Sequence, residues 1–333
     1  MKFLITGLGS IGQRHYRNLL ALGAGDIFVY RTGRGANPDF IAAFIKKFQP
    51  TIFYDLEKAL TLKPDAVIIT NPTALHISIA RRALESGAHV FTEKPLAHRL
   101  EGLETLIDEA KKKRLVGYVG YNFRFHPLLR KMKQWLDTGK IGRPVSAHAE
   151  IGEYLPDWHP WEDYRKTYAA RDDLGGGVVL TQSHELDYLY WFFGKPKRLV
   201  AFGGRKSDLD IDVEDLAQAV IEFKSGLIAT LSMDYLERPP KRRFEVVGTK
   251  GRMIWDYQDK TLSFLPFKQK AVPRIRRESK GFERNTMFLE ELKHFLRCIR
   301  GKEKPLVDFG TGREVLRMAL AIKDSITKKK IIL

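Results

Sequence analysis

Gly7, Gly9 and Gly12 stand in the run Gly7-Leu8-Gly9-Ser10-Ile11-Gly12, a Gly-x-Gly-x-x-Gly spacing. The run directly follows a short apolar segment and opens a stretch of helical periodicity, the context in which such glycines hold a dinucleotide. The first glycine permits a tight turn, the second admits a pyrophosphate against the backbone, and the third lets helix and strand pack closely. Free N–H groups around Ser10 and Ile11, with the positive end of the helix dipole, then face the phosphates. The alternative is a plain glycine turn. Further strands of the same kind behind it favour the cofactor.

An acidic residue about twenty positions beyond such glycines grips the adenosine ribose of NAD. This chain carries Arg31, Thr32 and Arg34 there instead. Two readings stay open. The guanidiniums flank a 2′-phosphate while Thr32 donates a hydrogen bond, which favours NADP slightly over NAD; or Arg31 stacks on adenine and Arg34 is solvated.

The elements that must position these groups alternate steadily through the first 120 or so residues. Strands are expected at 2–6, 26–30, 51–54, 66–70, 89–92 and 116–121, and helices at 11–22, 38–48, 73–86 and 100–114. Nearly continuous apolar strands between helices mean a parallel sheet covered on both faces. The expectation is an α/β Rossmann domain with a doubly wound parallel sheet over 1–122. The pattern then changes. Helices are expected at 127–138, 180–193, 285–300 and 310–328, and strands at 144–153, 198–203, 216–223, 227–235, 243–248, 252–255 and 261–265. Residues 268–282 read as a basic, mobile loop. This second part, 123–333, is expected to be an α+β domain with an open, mostly antiparallel sheet.

Bulk properties bound the function. The chain has 333 residues, 44% hydrophobic and 29% charged, which suits two globular domains rather than disorder. No apolar run is long enough to cross a bilayer, and the N-terminus lacks a signal-peptide pattern, so a cytoplasmic protein without a membrane partner is expected. Cys298 is the single cysteine. It rules out an intrachain disulfide, and without a His-x-x-x-His ligand pair no metal is expected. The formal net charge is +17. The cations are spread along the chain, and the densest runs, 111–114 and 328–330, sit at helix ends where they complement the dipole. They are read as solvated rather than as a nucleic-acid site. A basic protein still attracts anionic small molecules.

Further motifs follow the later strands. They are Asn71-Pro72-Thr73-Ala74-Leu75-His76, Glu93-Lys94-Pro95-Leu96, Gly120-Tyr121-Asn122-Phe123-Arg124-Phe125-His126-Pro127, and then Gly175-Gly176-Gly177 running on to Ser183-His184-Glu185-Leu186-Asp187. In this order they resemble the glucose–fructose oxidoreductase and inositol dehydrogenase family, Gfo/Idh/MocA, over nearly the whole chain. The resemblance implies hydride transfer at a secondary carbinol of a sugar, cyclitol or nucleotide-linked sugar. It implies a homodimer or homotetramer formed through the C-terminal sheet. Lys94 matches the family's catalytic lysine and His184 its catalytic histidine. Asn71, Glu93, Asn122 and Arg124 match positions lining the nicotinamide half of the cleft, and His76 is grouped with them as cofactor-binding. Trp161 and Arg165 match the loop that closes on cofactor and substrate. One departure stands out: many members carry an aspartate three or four positions before the histidine, where this chain has Leu180 and Thr181.

On that basis the chain is read as an NAD(P)-dependent dehydrogenase or reductase of a sugar-type substrate. Lys94 beside the nicotinamide, its pKa lowered toward neutrality, exchanges the hydroxyl proton. His184, from the second domain, relays that proton and orients the hydroxyl. Thr181, Gln182 or a water replaces the missing aspartate as the imidazole's holder. An NAD-dependent glycosidase working through transient oxidation and a non-catalytic dinucleotide sensor are the alternatives. The net charge, the basic segment 274–280 and the loop residues Arg165, Lys166 and Arg171 predict an anionic sugar. Arg31, Thr32 and Arg34 generate the sharpest expectation here. NADP(H) should bind about one to two decades more tightly than NAD(H), the equivalent of one charge-assisted contact. Titration of both cofactors into apo protein checks it; tighter NAD(H) binding reduces Arg31 to an adenine platform.

Overall fold

A computed structural model describes residues 1–33 and 38–332; Arg34 lies outside them. The chain divides into two units. Unit 1 comprises Met1–Tyr121, Trp161–Gly176 and Asn285–Leu316, and unit 2 comprises Asn122–Pro160, Gly177–Arg284 and Arg317–Leu333.

Unit 1 begins with β1 (Lys2–Thr6), α1 (Ser10–Ala21), β2 (Asp26–Tyr30), α2 (Pro38–Phe48), β3 (Thr51–Phe53) and α3 (Leu56–Leu60). It continues with β4 (Ala66–Ile69), α4 (His76–Glu85), β5 (His89–Glu93), α5 (Leu103–Lys112) and β6 (Gly117–Gly120). The strands form one parallel sheet in the order β3-β2-β1-β4-β5-β6. Every residue of β4 and β6 is buried, as a strand covered on both faces requires. The strand order reverses between β1 and β4, and a ligand crevice opens at such a switch point outside the carboxyl ends of the strands. The short helix α3 is not foreseen from periodicity. Asp55 starts it, its carboxylate accepting from the N–H of Glu57 at 2.8 Å and of Lys58 at 3.2 Å.

Unit 2 contains α6 (Pro127–Asp137), β7 (Pro144–Gly152), α7 (Val178–Thr181) and α8 (His184–Phe193). Then come β8 (Pro196–Gly204), β9 (Leu216–Phe223), β10 (Ile228–Asp234), β11 (Lys241–Gly248), β12 (Gly251–Asp256), β13 (Thr261–Pro266) and β14 (Arg274–Arg277). Their sheet runs β14-β13-β12-β11-β7-β10-β9-β8. Only β7 and β10 pair in parallel; the other pairs are antiparallel. Burial alternates along the strands, so one face carries the core. The other face exposes Phe202, Val220 and Ile228. Two long helices end the chain, α9 (Arg284–Ile299) and α10 (Phe309–Lys328). Within unit 1, Leu292 and Phe295 of α9 pack against Phe3, Ile5, Phe91 and Tyr118 of the sheet. Among the described residues no helix is long and apolar enough to cross a membrane.

Two expectations are corrected. The helix expected over 180–193 is two helices, α7 and α8. Gln182, at φ −99° and ψ 36°, leaves the helical conformation, and its buried side chain donates to the Asp234 carbonyl at 3.2 Å. The segment 268–282 is not all loop, because Arg274–Arg277 pairs with β13 as an edge strand. All four of its side chains are exposed, so it lacks the buried alternation that marks a strand in sequence.

The three glycines after β1 differ in what the protein itself demands. Gly7 has φ +97°, a conformation that side chains oppose. A Cβ on Gly12 would stand 2.2 Å from the Gly7 carbonyl oxygen, so helix α1 crosses β1 in contact with its backbone. A Cβ on Gly9 would meet nothing within 4 Å among the described residues. Gly12→Val should therefore destabilise the fold by about 1–3 kcal/mol through overpacking, whereas Gly9→Val should leave thermal stability unchanged and remove dinucleotide affinity. Differential scanning fluorimetry with and without NAD(P)H separates the two. Retained affinity in Gly9→Val would show that this open space is not a ligand's.

Candidate functional site

In unit 1 the glycine turn is held from below. The Gly7 N–H donates to the Tyr30 carbonyl at 2.8 Å, and the Thr70 hydroxyl donates to the Thr6 carbonyl at 2.8 Å. Gly9 caps α1, its carbonyl accepting from the Gln13 N–H at 3.0 Å. No acidic side chain lies in the first turn of α1 and no side chain caps it, so the helix itself supplies nothing to offset its positive end. Open space above Gly9, a free helix end and the switch point of the sheet together fit the pyrophosphate of a dinucleotide.

Beside this turn lies a cleft of about 290 Å³ lined by Tyr30, Thr32, Asn71, Leu75, Glu57 and Arg82, among others. It joins the ends of β2 and β4, where the adenosine half would lie. Arg82 pairs with Glu57 across it. Neither residue falls in a motif; α3 packs on β2 and β3 and α4 on β4 and β5, and the sheet brings the two to the cleft. Arg31 is half-buried, with its N–H on the Phe53 carbonyl at 3.0 Å.

The ends of β4 and β5 hold the remaining candidates of unit 1. His76, buried, bridges the two loops: Nε2 lies 2.9 Å from the Asn71 carbonyl and Nδ1 2.9 Å from the Pro95 carbonyl. A neutral imidazole has one N–H and satisfies only one of these acceptors. Burial pushes the His76 pKa down, although both carbonyls and the charge of Glu93 pull it up. His76 thus fixes the segment carrying Lys94 rather than presenting a free ring edge. The Asn71 amide oxygen is buried and has no partner among the described residues, which suits it to a ligand donor. Glu93 is committed to the protein. One carboxylate oxygen lies 2.7 Å from His15 Nε2, and the other accepts from the Lys94 N–H at 3.3 Å. His15, fully buried against Phe91 and Phe288, ties α1 to the end of β5. Lys94 itself is half-buried.

The loop residues of unit 1 also find places. Trp161 stacks on Phe40 of α2, with ring centroids 5.5 Å apart and planes 14° apart. Arg165 is gripped by Asp163 at 2.8 and 2.9 Å. Tyr168 was not singled out by any motif. Burial and the charge of Glu93 push its phenol up to about 12, which keeps it protonated and a hydrogen-bond donor at neutral pH.

In unit 2, His184 is the first residue of α8, buried, with its ring edge-to-face on Phe123 at 4.8 Å. Glu214 sets the turn before it, its carbonyl accepting from the Val178 N–H at 3.0 Å and its carboxylate from the Val179 N–H at 3.3 Å. Lys323 holds the same carboxylate at 3.0 Å. Thr181 and Gln182 are engaged with the scaffold: the Thr181 hydroxyl donates to the Gly177 carbonyl at 2.8 Å and meets the Tyr235 hydroxyl, and Gln182 bonds the Asp234 carbonyl. Two buried carboxylates follow His184 on α8. Asp187 receives Arg124 in a bidentate grip at 2.8–3.1 Å, and Glu185 receives Arg242 at 2.8 Å. Arg242 also lies over the Phe123 ring at 4.5 Å. Arg124, expected at the cofactor, thus has its guanidinium turned to Asp187. The Asn122 amide oxygen is buried without a partner among the described residues.

Comparison with known proteins places these features in a lineage. Residues 1–121 match the model described as an oxidoreductase family with an NAD-binding Rossmann fold, and residues 129–254 match the GFO/IDH/MocA C-terminal domain. The chain is 29% identical to myo-inositol 2-dehydrogenase of Thermotoga maritima over 345 residues, covering 100% of this chain and 98% of that one. It is 25% identical to UDP-N-acetylglucosamine 3-dehydrogenase of Acidithiobacillus ferrooxidans, covering 98% and 97%. The fold is similar to that of levoglucosan dehydrogenase in complex with NADH and levoglucosan, with a TM-score of 0.87 at 19% identity, covering 100% and 98%.

The Arg124–Asp187 pair generates a prediction with a pH signature. Burial holds the Asp187 carboxyl above the usual carboxylate range, against the charge and hydrogen bonds of Arg124. A carboxyl raised in the folded state binds its proton more tightly folded than unfolded. Its contribution to stability is therefore present at low pH and lost as pH rises through the folded-state value. Arg124→Leu leaves the carboxylate buried alone and should cost about 3–5 kcal/mol at pH 8, with the deficit shrinking toward pH 5. Asp187→Asn, which strands the guanidinium instead, should show no such recovery. Denaturant unfolding at the two pH values checks both.

Proposed function

This chain belongs to the Gfo/Idh/MocA oxidoreductases, and we propose that it transfers a hydride to or from a secondary carbinol of a sugar, cyclitol or nucleotide-linked sugar. The observation that carries the reading is the glycine turn, where Gly9 alone has a missing side chain that the packing of the described residues does not demand, and its open side lies at the first turn of α1. The bound nicotinamide supplies the hydride acceptor or donor. Arg31 and Thr32 are assigned to the 2′-phosphate of NADP, and the cleft of Tyr30, Asn71 and Leu75 to the adenosine. Asn71 and Asn122 are assigned to the nicotinamide half, each through its unpartnered amide oxygen.

Lys94 is the proposed acid–base group. Its neutral amine accepts the hydroxyl proton during oxidation, and its ammonium returns a proton during reduction. The chain holds it at the end of β5 between two fixed points, the Glu93 carboxylate on its own N–H and the His76 bond to the Pro95 carbonyl. His184 is proposed as the second group that handles this proton. The turn built by Gly177, Glu214 and Thr181, rather than an aspartate before it, sets its position. A net charge of +17 supports an anionic substrate.

Single-turnover hydride transfer tests the assignment, with myo-inositol and UDP-N-acetylglucosamine, taken from the relatives, as first substrates. Lys94→Ala should lose about 100- to 10,000-fold in rate while still binding NAD(P)H. A rate near that of the wild type would overturn the role of Lys94. The same result for His184→Ala alone would leave Lys94 as the sole acid–base group.

A further inference from the structure

The edge strand β14 inverts the pattern of the sheet to which it belongs. In an antiparallel pair, residues directly opposite share a face. Arg276 stands opposite Leu262 and Arg274 opposite Phe264, and both of those partners are buried on the core face. The two arginines therefore occupy core-face positions, while Ile275 between them is 58% exposed. There they stand near another cation, Lys140, and Arg276 lies over the Trp135 ring. Lys140 Nζ stands 3.8 Å from the Trp135 ring centroid and 4.7 Å from that of Phe264. The Arg276 guanidinium is 5.9 Å from the Trp135 centroid, and Lys131 Nζ 6.0 Å from it.

Three cations thus converge on one nearly buried indole. Arg274 is close enough to act on Lys140 as well: burial, then the charges of Arg274, Arg276 and Lys131, pull the Lys140 pKa below the usual lysine value. Among the described residues no carboxylate forms an ion pair with Lys140, Arg274, Arg276 or Lys131. The acid nearest in sequence to Lys140, Asp137, pairs with Lys133, and Glu278, just past β14, is spent on His126 at 2.9 Å. Like charges gathered on an aromatic floor repel one another unless an anion joins them, and cation–π contact offsets only part of that repulsion.

We propose that Lys131, Lys140, Arg274 and Arg276 form a binding site for a diphosphate or similarly clustered phosphate group, seated beside Trp135. The match is one of charge and shape. Several donors around one point call for a ligand with more than one negative charge, and guanidinium groups bind phosphate oxygens in pairs. None of these side chains is among those assigned to hydride transfer, so the site stands independently of that chemistry.

Calorimetric titration of the full chain, presaturated with NADPH so that the glycine turn is occupied, with inorganic pyrophosphate in 0.15 M NaCl tests the site. Saturable binding of one pyrophosphate per chain is expected. Lys140→Ala and the double variant Arg274→Ala/Arg276→Ala should each weaken it about 10- to 100-fold, as loss of charge-assisted contacts does. Lys328→Ala/Lys329→Ala/Lys330→Ala, which removes three cations elsewhere, should leave it unchanged. Comparable binding of UDP, lost in the same variants, would identify a nucleoside diphosphate as a source of the group. Absence of saturable binding would overturn the proposal and leave the core-face arginines as protection of a sheet edge. Equal weakening in the control variant would overturn it too, because the binding would then belong to diffuse charge.

Discussion

Unit 1 depends on one close approach, that of α1 to the end of β1. A helix and a strand can touch backbone to backbone only where no Cβ intervenes, and at Gly12 there is no room for one beside the Gly7 carbonyl. That contact points the first turn of α1 over the switch point of the sheet. It also fixes the inward face of the helix, and this face is where His15 reaches the Glu93 carboxylate at the end of β5. The glycine turn and the loop carrying Lys94 are therefore tied through a single helix. A slip of α1 along β1 would disturb both.

Unit 2 is organised by a different constraint, the cost of keeping charge away from water. Glu185 and Asp187 are both buried on α8, directly after His184. Burial alone would push their protons on, and the facing guanidiniums of Arg242 and Arg124 oppose it. A buried carboxylate needs its partner in good geometry, so each pair restricts where α8 can lie. The arginines come from the segment after β6 and from β11, elements far apart in the chain. Phe123 completes the arrangement, with His184 at its edge and Arg242 over its face. The imidazole is positioned by aromatic packing and by flanking ion pairs, in a chain that lacks an aspartate before the histidine.

Local signals were the legible ones. The glycine spacing after a strand, the apolar run of β4 and the helical periodicity of α1, α2 and α5 each depend on residues within a few positions of one another, and they located the dinucleotide fold. Basic side chains hid β14, because an exposed edge strand need not alternate. Gln182 and Ser183 read as part of the first turn of one apolar helix over 180–193, although the buried amide of Gln182 bonds the Asp234 carbonyl of β10 and the helix is interrupted there. His15 carried one clue, a polar residue on the inward face of α1 shortly after the glycines. Tyr168, Glu214 and Arg242 carried none, since their significance comes from Glu93, from the turn before α8 and from Glu185, each distant in sequence.

What the sequence by itself determined is the type of residue at each strand end: three glycines in a tight turn, basic residues where an acidic one often stands, Lys94 before a proline, and His184 after a glycine run. Periodicity and residue type suffice there, because turn geometry and strand burial are local demands on the chain. Only the tertiary structure decided which of these side chains remain available to a ligand. Arg124, His76 and Glu93 all carry groups suited to a cofactor, yet each is satisfied by a partner from another element, whereas the amide oxygens of Asn71 and Asn122 are not. Availability is a property of what surrounds a buried polar atom. Those surroundings are assembled from residues that the chain keeps far apart.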